Sequence, residues 1–189
     1  MKLLLTVSAA AMLTAMMASG AMAQSKDELI AQAVKAAPEA LRAGATVVNY
    51  DAKGEPMVLR EGNNGIVCTP NQMGTASFSV NCYGSALRAQ RDFQAKEKAE
   101  GKDAKAQAAD MADAMKSGKL KAPPTGTAMY SLSGKTEASA RGMWVVLVPN
   151  MTAEATGLPT QPTANGTPWL MRAGTPAAHI HIPQAAPAG

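Results

Sequence analysis

Thr46-Val47-Val48-Asn49-Tyr50, then Asp51-Ala52-Lys53-Gly54, then Met57-Val58-Leu59-Arg60 is the stretch on which the fold class turns. β-branched and aromatic residues crowd both arms, and the residues between them suit a turn, with Gly54 free to take positive φ. The pattern predicts a β-hairpin. Upstream, Ser25-Lys26-Asp27-Glu28 is a capping box that opens a helix with Leu29, Ile30, Ala33 and Val34 on one face. Pro38 suits the first turn of a short second helix over Glu39-Ala40-Leu41-Arg42, which Gly44 can end. Helices leading into a hairpin predict an α+β fold.

Downstream of the hairpin, Ile66-Val67-Cys68-Thr69 reads as a third strand closed by Pro70. From Gly84 to Gly118 the composition turns to Ala, Lys, Glu, Gln and Asp, which predicts two helices broken near Gly101. Tyr83, Leu87 and Phe93 form the expected core-facing stripe of the first, and Ala108, Met111, Ala112 and Met115 that of the second. The alternating charges from Lys96 to Lys105 read as a solvated face. After Pro123-Pro124, Thr127–Leu132 and Met143–Val148 are expected strands, and the unbroken apolar run of the second suggests cover on both faces. Pro168–Arg172 and Ala178–Ile182 form a last expected hairpin around Gly174-Thr175-Pro176. The expectation is a single α+β domain over residues 24–183, with an antiparallel or mixed sheet, helices packed on one side and one disulfide. Residues 184–189 are expected to fray.

The 189 residues, 47% hydrophobic and 17% charged, are enough for one domain with its own core. Residues 1–23 stand apart from that domain. Met1 and Lys2 form a positive start, an apolar run follows, and Ala21-Met22-Ala23 before Gln24 is a small-x-small cleavage signal. Thr6, Ser8, Thr14 and Ser19 dilute the run below what a membrane span needs. The reading is a signal peptide, with an exported chain starting at Gln24, in the periplasm or outside the cell, and no membrane association after cleavage.

Without the leader, 17 basic residues face 14 acidic ones. Such a mild charge, with no aromatic stacking platform near the lysines, gives no nucleic-acid surface. The cysteines agree with export. Cys68 and Cys82 are the only two, and an even count in an exported chain predicts one disulfide. The enclosed segment, Thr69 to Asn81, carries Pro70 and Gly74 among several Ser and Thr, and reads as a loop in need of an external tie.

Candidate chemistry concentrates at the C-terminal end. His179 and His181, the only histidines, lie two apart on an expected strand and so project from the same face. Two imidazoles can ligate copper or zinc, but a site needs a third donor, and the cross-strand neighbour depends on register. A four-residue turn pairs Ala173 with Ala178, putting Arg172 opposite His179 and Leu170 opposite His181, an arrangement suited to an anion. A five-residue turn puts Met171 opposite His181 and suits soft copper. The bland alternative is two half-exposed strand histidines with Ile180 and Ile182 facing the core. Trp144, Trp169 and Arg172 are candidate walls of a ligand cleft. Gly134-Lys135-Thr136 has no glycine five residues before it, so it is no P-loop, and Ser131-Leu132-Ser133-Gly134 lacks the first glycine of a nucleophile elbow.

Two segments, Asn64-Gly65-Ile66-Val67-Cys68-Thr69-Pro70 and Gly174-Thr175-Pro176-Ala177-Ala178-His179-Ile180-His181-Ile182-Pro183, resemble an uncharacterised group of exported bacterial proteins. That pattern has an aromatic after the first Gly and a Met where His181 stands, so only His179 maps onto it. The resemblance implies export and brings no activity. The function expected from the sequence is therefore a non-enzymatic binding or interaction module with no identified partner. The alternative is a metal-binding protein or metal-assisted enzyme using His179 and His181.

Overall fold

The structure is a computed structural model that describes residues 24–71 and 75–184. The expected signal peptide and all but the first residue of the expected frayed tail lie outside the described residues. Helix α1 (Lys26–Ala33) starts at the capping box: the Ser25 hydroxyl accepts from the Glu28 amide at 3.2 Å, and the Glu28 carboxylate accepts from the Ser25 amide at 2.7 Å. A 3₁₀ turn (Val34–Ala36) and α2 (Glu39–Arg42) lead into strands β1 (Thr46–Tyr50) and β2 (Pro56–Arg60). These pair antiparallel with Tyr50 opposite Pro56, the hairpin expected from the sequence.

The remaining strands are β3 (Ile66–Thr69), β4 (Phe78–Gly84), β5 (Ala128–Gly134), β6 (Arg141–Leu147), β7 (Trp169–Met171) and β8 (His179–Pro183). Helices α3 (Arg88–Ala99) and α4 (Ala104–Lys116) fall between β4 and β5, and the single turn α5 (Ala153–Thr156) between β6 and β7. The described strands form one mixed sheet in the order β2-β1-β3-β4-β5-β6-β8-β7, antiparallel throughout except where β1 meets β3. The fold is α+β with a disulfide joining Cys68 and Cys82.

Successive strand residues alternate between two faces. Val47, Cys68, Val80 and Cys82 face the N-terminal helices and form one core with Ala33, Ala36 and Ala37. Val48, Val67 and Tyr83 point the other way and pack with Leu87 of a 3₁₀ turn (Ser85–Leu87) that enters α3. The N-terminal helices thus share one face and α3 crosses the opposite one. The expectation of helices packed on one side is corrected: the polar alternation of β4 gives the sheet a second face for α3 to cover.

Gly54 shows how closely α3 is held. Its φ is +75°, and a Cβ built there would stand 2.5 Å from the Ala95 carbonyl oxygen, so the turn of the first hairpin rests on the backbone of α3. The Tyr50 hydroxyl adds a second tie, donating to the Asp92 carboxylate at 2.8 Å.

Several expectations are corrected. Tyr83 lies in β4, not on a helix, and the segment between the cysteines is not all loop, because Phe78–Asn81 belongs to that strand. Cys68 stands directly opposite Cys82 in the β3–β4 ladder, so the disulfide joins neighbouring strands. In α4, Ala108, Ala112 and Met115 are exposed while Ala114 is buried. Alanine carries too little apolar area to set the roll of a helix; here Lys102, between the helices, pairs with Glu97 of α3 at 2.7 Å and Asp110 of α4 at 2.9 Å. Glu97 is buried, so the charged run is only in part a solvated face. Strand β6 is interior to the sheet, yet its residues are at most half-buried, so the apolar run is not covered on both faces.

The last hairpin follows neither expected register. Met171 stands opposite His179, Leu170 opposite Ile180 and Trp169 opposite His181. Arg172 takes a φ of +55° and leaves the strand, and the Ala178 carbonyl accepts from the Val148 amide at 3.0 Å, which ties the residue before β8 to the end of β6.

Candidate ligand-binding site

The face that α3 crosses carries the polar chemistry of the sheet. Along β4, Phe78, Val80 and Cys82 enter the core while Ser79, Asn81 and Tyr83 alternate onto this face. Thr69 stands opposite Asn81, and Ser133 and Ser131 stand opposite Ser79 and Asn81 from the other side. Across the sheet, Tyr83, Met129, Val145, His181 and Trp169 form a continuous row of opposed residues.

Between this face and α3 lies a cavity of about 570 Å³. The sheet side contributes Tyr50, Thr69, Ser79, Asn81 and Tyr83; the helix side contributes Arg91, Gln94, Ala95 and Lys98, which helical spacing places together. Tyr83 is only 1% exposed, and its buried hydroxyl has no hydrogen bond of ordinary geometry, although the Tyr50 hydroxyl lies close enough to act on it. Burial pushes its pKa up, as it does more strongly for Tyr50, where the Tyr83 hydroxyl and Asp92 add to the effect. The Arg91 guanidinium lies 5.5 Å from the centre of the Tyr83 ring, donates to Gln94 Oε1 at 3.0 Å and touches Met129 Sδ at 3.7 Å. Burial draws its pKa down, opposed only by the two tyrosines.

The residues singled out from the sequence are placed elsewhere. The rings of His179 and His181 are 4.8 Å apart, and Trp169 lies 4.4 Å from His181. His179 Nδ1 is 2.7 Å from the Ala177 carbonyl, while His181 Nδ1 is buried without a partner. Burial, and then the nearby His179, lower the His181 pKa. Among the described residues no group of three or more His, Cys, Asp or Glu is arranged to hold a metal. Arg172 is exposed and opposes neither histidine, which removes the geometry of an anion site built with it. Trp144 stands opposite Tyr130 and Ile182, on the other face from Trp169, so the two tryptophans do not wall one cleft. None of the three lines the cavity.

The cavity was missed in the sequence because its residues span positions 50 to 107 and include no catalytic motif. One signal was present: the strict alternation of Phe78-Ser79-Val80-Asn81-Cys82, which marks a strand with one polar face. Comparison with family models, with curated proteins and with solved structures finds no match to this chain.

Proposed function

We propose that this chain is an exported, non-enzymatic binding module that takes a small polar molecule in the cavity between α3 and the sheet. The signal-peptide pattern of residues 1–23 supports export, and the Cys68–Cys82 disulfide accords with an oxidising compartment. The observation that carries the binding reading is the cavity itself, walled by the polar side chains of Ser79, Asn81 and Gln94 and by Arg91. Behind this wall the Tyr83 hydroxyl is buried without a hydrogen bond of ordinary geometry, and such a group costs about 1–3 kcal/mol. The volume falls within the roughly 300–1,000 Å³ of small-molecule sites.

Amide chemical-shift mapping of the mature chain tests this reading, with glucitol, gluconate and inorganic phosphate as probes. At least one should shift the amides of Ser79, Asn81 and Gln94, and Ala95→Trp, which fills the cavity from α3, should abolish the response. No response from any probe, or an unchanged response in Ala95→Trp, overturns the reading.

A second reading, a metal-binding protein or metal-assisted enzyme, is favoured by the unpartnered His181 Nδ1 beside His179. Met171, opposite His179, would supply a soft third donor for copper. Calorimetric titration with copper and zinc tests it: stoichiometric uptake lost in His181→Ala supports a metal site, and its absence in the wild type excludes one.

A further inference from the structure

We infer that the molecule taken by this cavity is a small hydroxylated carboxylic acid whose carboxylate is held by Arg91. The inference rests on the cavity being a binding site and adds the class of ligand.

The first argument is charge. All fourteen Asp and Glu side chains lie within the described residues, yet none forms an ion pair with Arg91. The adjacent Asp92 is already engaged, by Arg88 at 2.8 Å and by the Tyr50 hydroxyl at 2.8 Å. Asp51, at the cavity rim, accepts from the backbone amides of Lys53 and Glu55, each at 2.8 Å, and holds the hairpin turn. Arg91 therefore has a side-chain amide, a thioether and an aromatic face, but no anion. Withdrawing a cation from water without a counter-charge is unfavourable, and burial draws the Arg91 pKa down accordingly. Lys98, two turns further along the same face of α3, adds a second positive charge at the cavity.

The second argument is shape and polarity. A guanidinium presents a planar fork that matches a carboxylate in two parallel hydrogen bonds. Arg91 supplies one such fork, and so a place for one carboxylate, while Lys98 offers a point charge without that planar match. The remaining groups are neutral: Tyr83, Thr69, Ser79 and Asn81 on the sheet side, and Gln94 beside Arg91. Hydroxyls and amides both donate and accept, which suits the hydroxyl groups of a ligand.

The test is calorimetric titration of the mature chain with gluconate, its neutral counterpart glucitol and inorganic phosphate, on wild type and Arg91→Met, together with thermal unfolding of both proteins. Gluconate is expected to bind at least tenfold more tightly than glucitol or phosphate and to lose at least tenfold in Arg91→Met. Without ligand, Arg91→Met is expected to unfold at the wild-type temperature or above it, because an unpaired charge gives way to an apolar chain of similar length. Glucitol binding as tightly as gluconate overturns the acid class but leaves the cavity reading standing. Phosphate binding more tightly than gluconate replaces carboxylate with phosphoryl and overturns it as well. A lower unfolding temperature for Arg91→Met makes Arg91 a structural residue and refutes the inference. Failure of all three probes overturns both the inference and the reading beneath it.

Discussion

Replacing Gly54 by alanine tests whether the first hairpin holds α3 over the sheet. Two costs are expected. A φ of +75° is unfavourable for alanine, about 1–2 kcal/mol relative to glycine. The new Cβ would also lie 2.5 Å from the Ala95 carbonyl oxygen and 2.7 Å from the Lys96 nitrogen, both backbone atoms that cannot swing aside. Forcing an atom into a packed contact costs a further 1–3 kcal/mol or so. Gly101 supplies the control: its φ is +78°, but a Cβ there would meet nothing within 4 Å. Gly101→Ala should therefore cost only the conformational part. Urea unfolding of both variants and the wild type, analysed at equal slope, gives the difference directly. Gly54→Ala should be the less stable by about 1–3 kcal/mol, the part due to contact. Equal midpoints for the two variants would show that the turn does not bear on α3, and that Arg91 is not held over the sheet by this contact.

Three further outcomes are expected. Replacing both cysteines by alanine should cost about 3 kcal/mol, from a closure of 14 residues, and an unchanged denaturation midpoint would assign the β3–β4 pairing to side-chain packing alone. His181 has a folded pKa below its ordinary 6.5, so the unfolded chain takes up the proton first as pH falls; its contribution is full above pH 6.5 and is lost as pH drops through the folded pKa. Thermal unfolding should show this decline in the wild type and a shallower one in His181→Phe; identical slopes refute it. Tyr83→Phe should raise stability by about 1 kcal/mol by removing a buried hydroxyl without a partner, and a loss of stability would mean that the hydroxyl is satisfied within the fold.

The elements that a local signal marks were legible. Ser25 and Glu28 fix the start of α1 through their own hydrogen bonds, and the Asp51–Gly54 turn brings β1 and β2 together by chain adjacency. What failed depended on contacts distant in sequence. The roll of α4 follows Lys102 and its two carboxylates, not the apolar stripe. The register of β7 on β8 follows Arg172 turning out of the strand and Ala178 bonding to Val148, and no turn rule applied to Gly174-Thr175-Pro176 contains that second contact. Strand β4 is masked in part by the loop character of Pro70 and Gly74, which lie between Cys68 and the start of the strand at Phe78. The histidine pair was visible because its members are two residues apart. Arg91 was not, since the absence of a counter-charge is a property of everything folded around it.

The two faces of the sheet divide the work of the molecule. The face toward the N-terminal helices carries the disulfide and a cluster of small and aliphatic residues in which burial is accompanied by little polar cost. The opposite face carries the Tyr83 hydroxyl and His181 Nδ1, both buried and unpartnered, and the Arg91 guanidinium without an anion. Each such group costs about 1–3 kcal/mol, against a net stability of about 5–15 kcal/mol for a typical domain. Of these, Arg91 and Tyr83 line the cavity, whereas His181 lies further along the same face. A row of opposed residues connects Tyr83 through Met129 and Val145 to His181, so the cavity and the histidine pair belong to one continuous surface. Arg91, which lines the cavity, also touches Met129 of that row, so the contact between α3 and the sheet reaches the same surface.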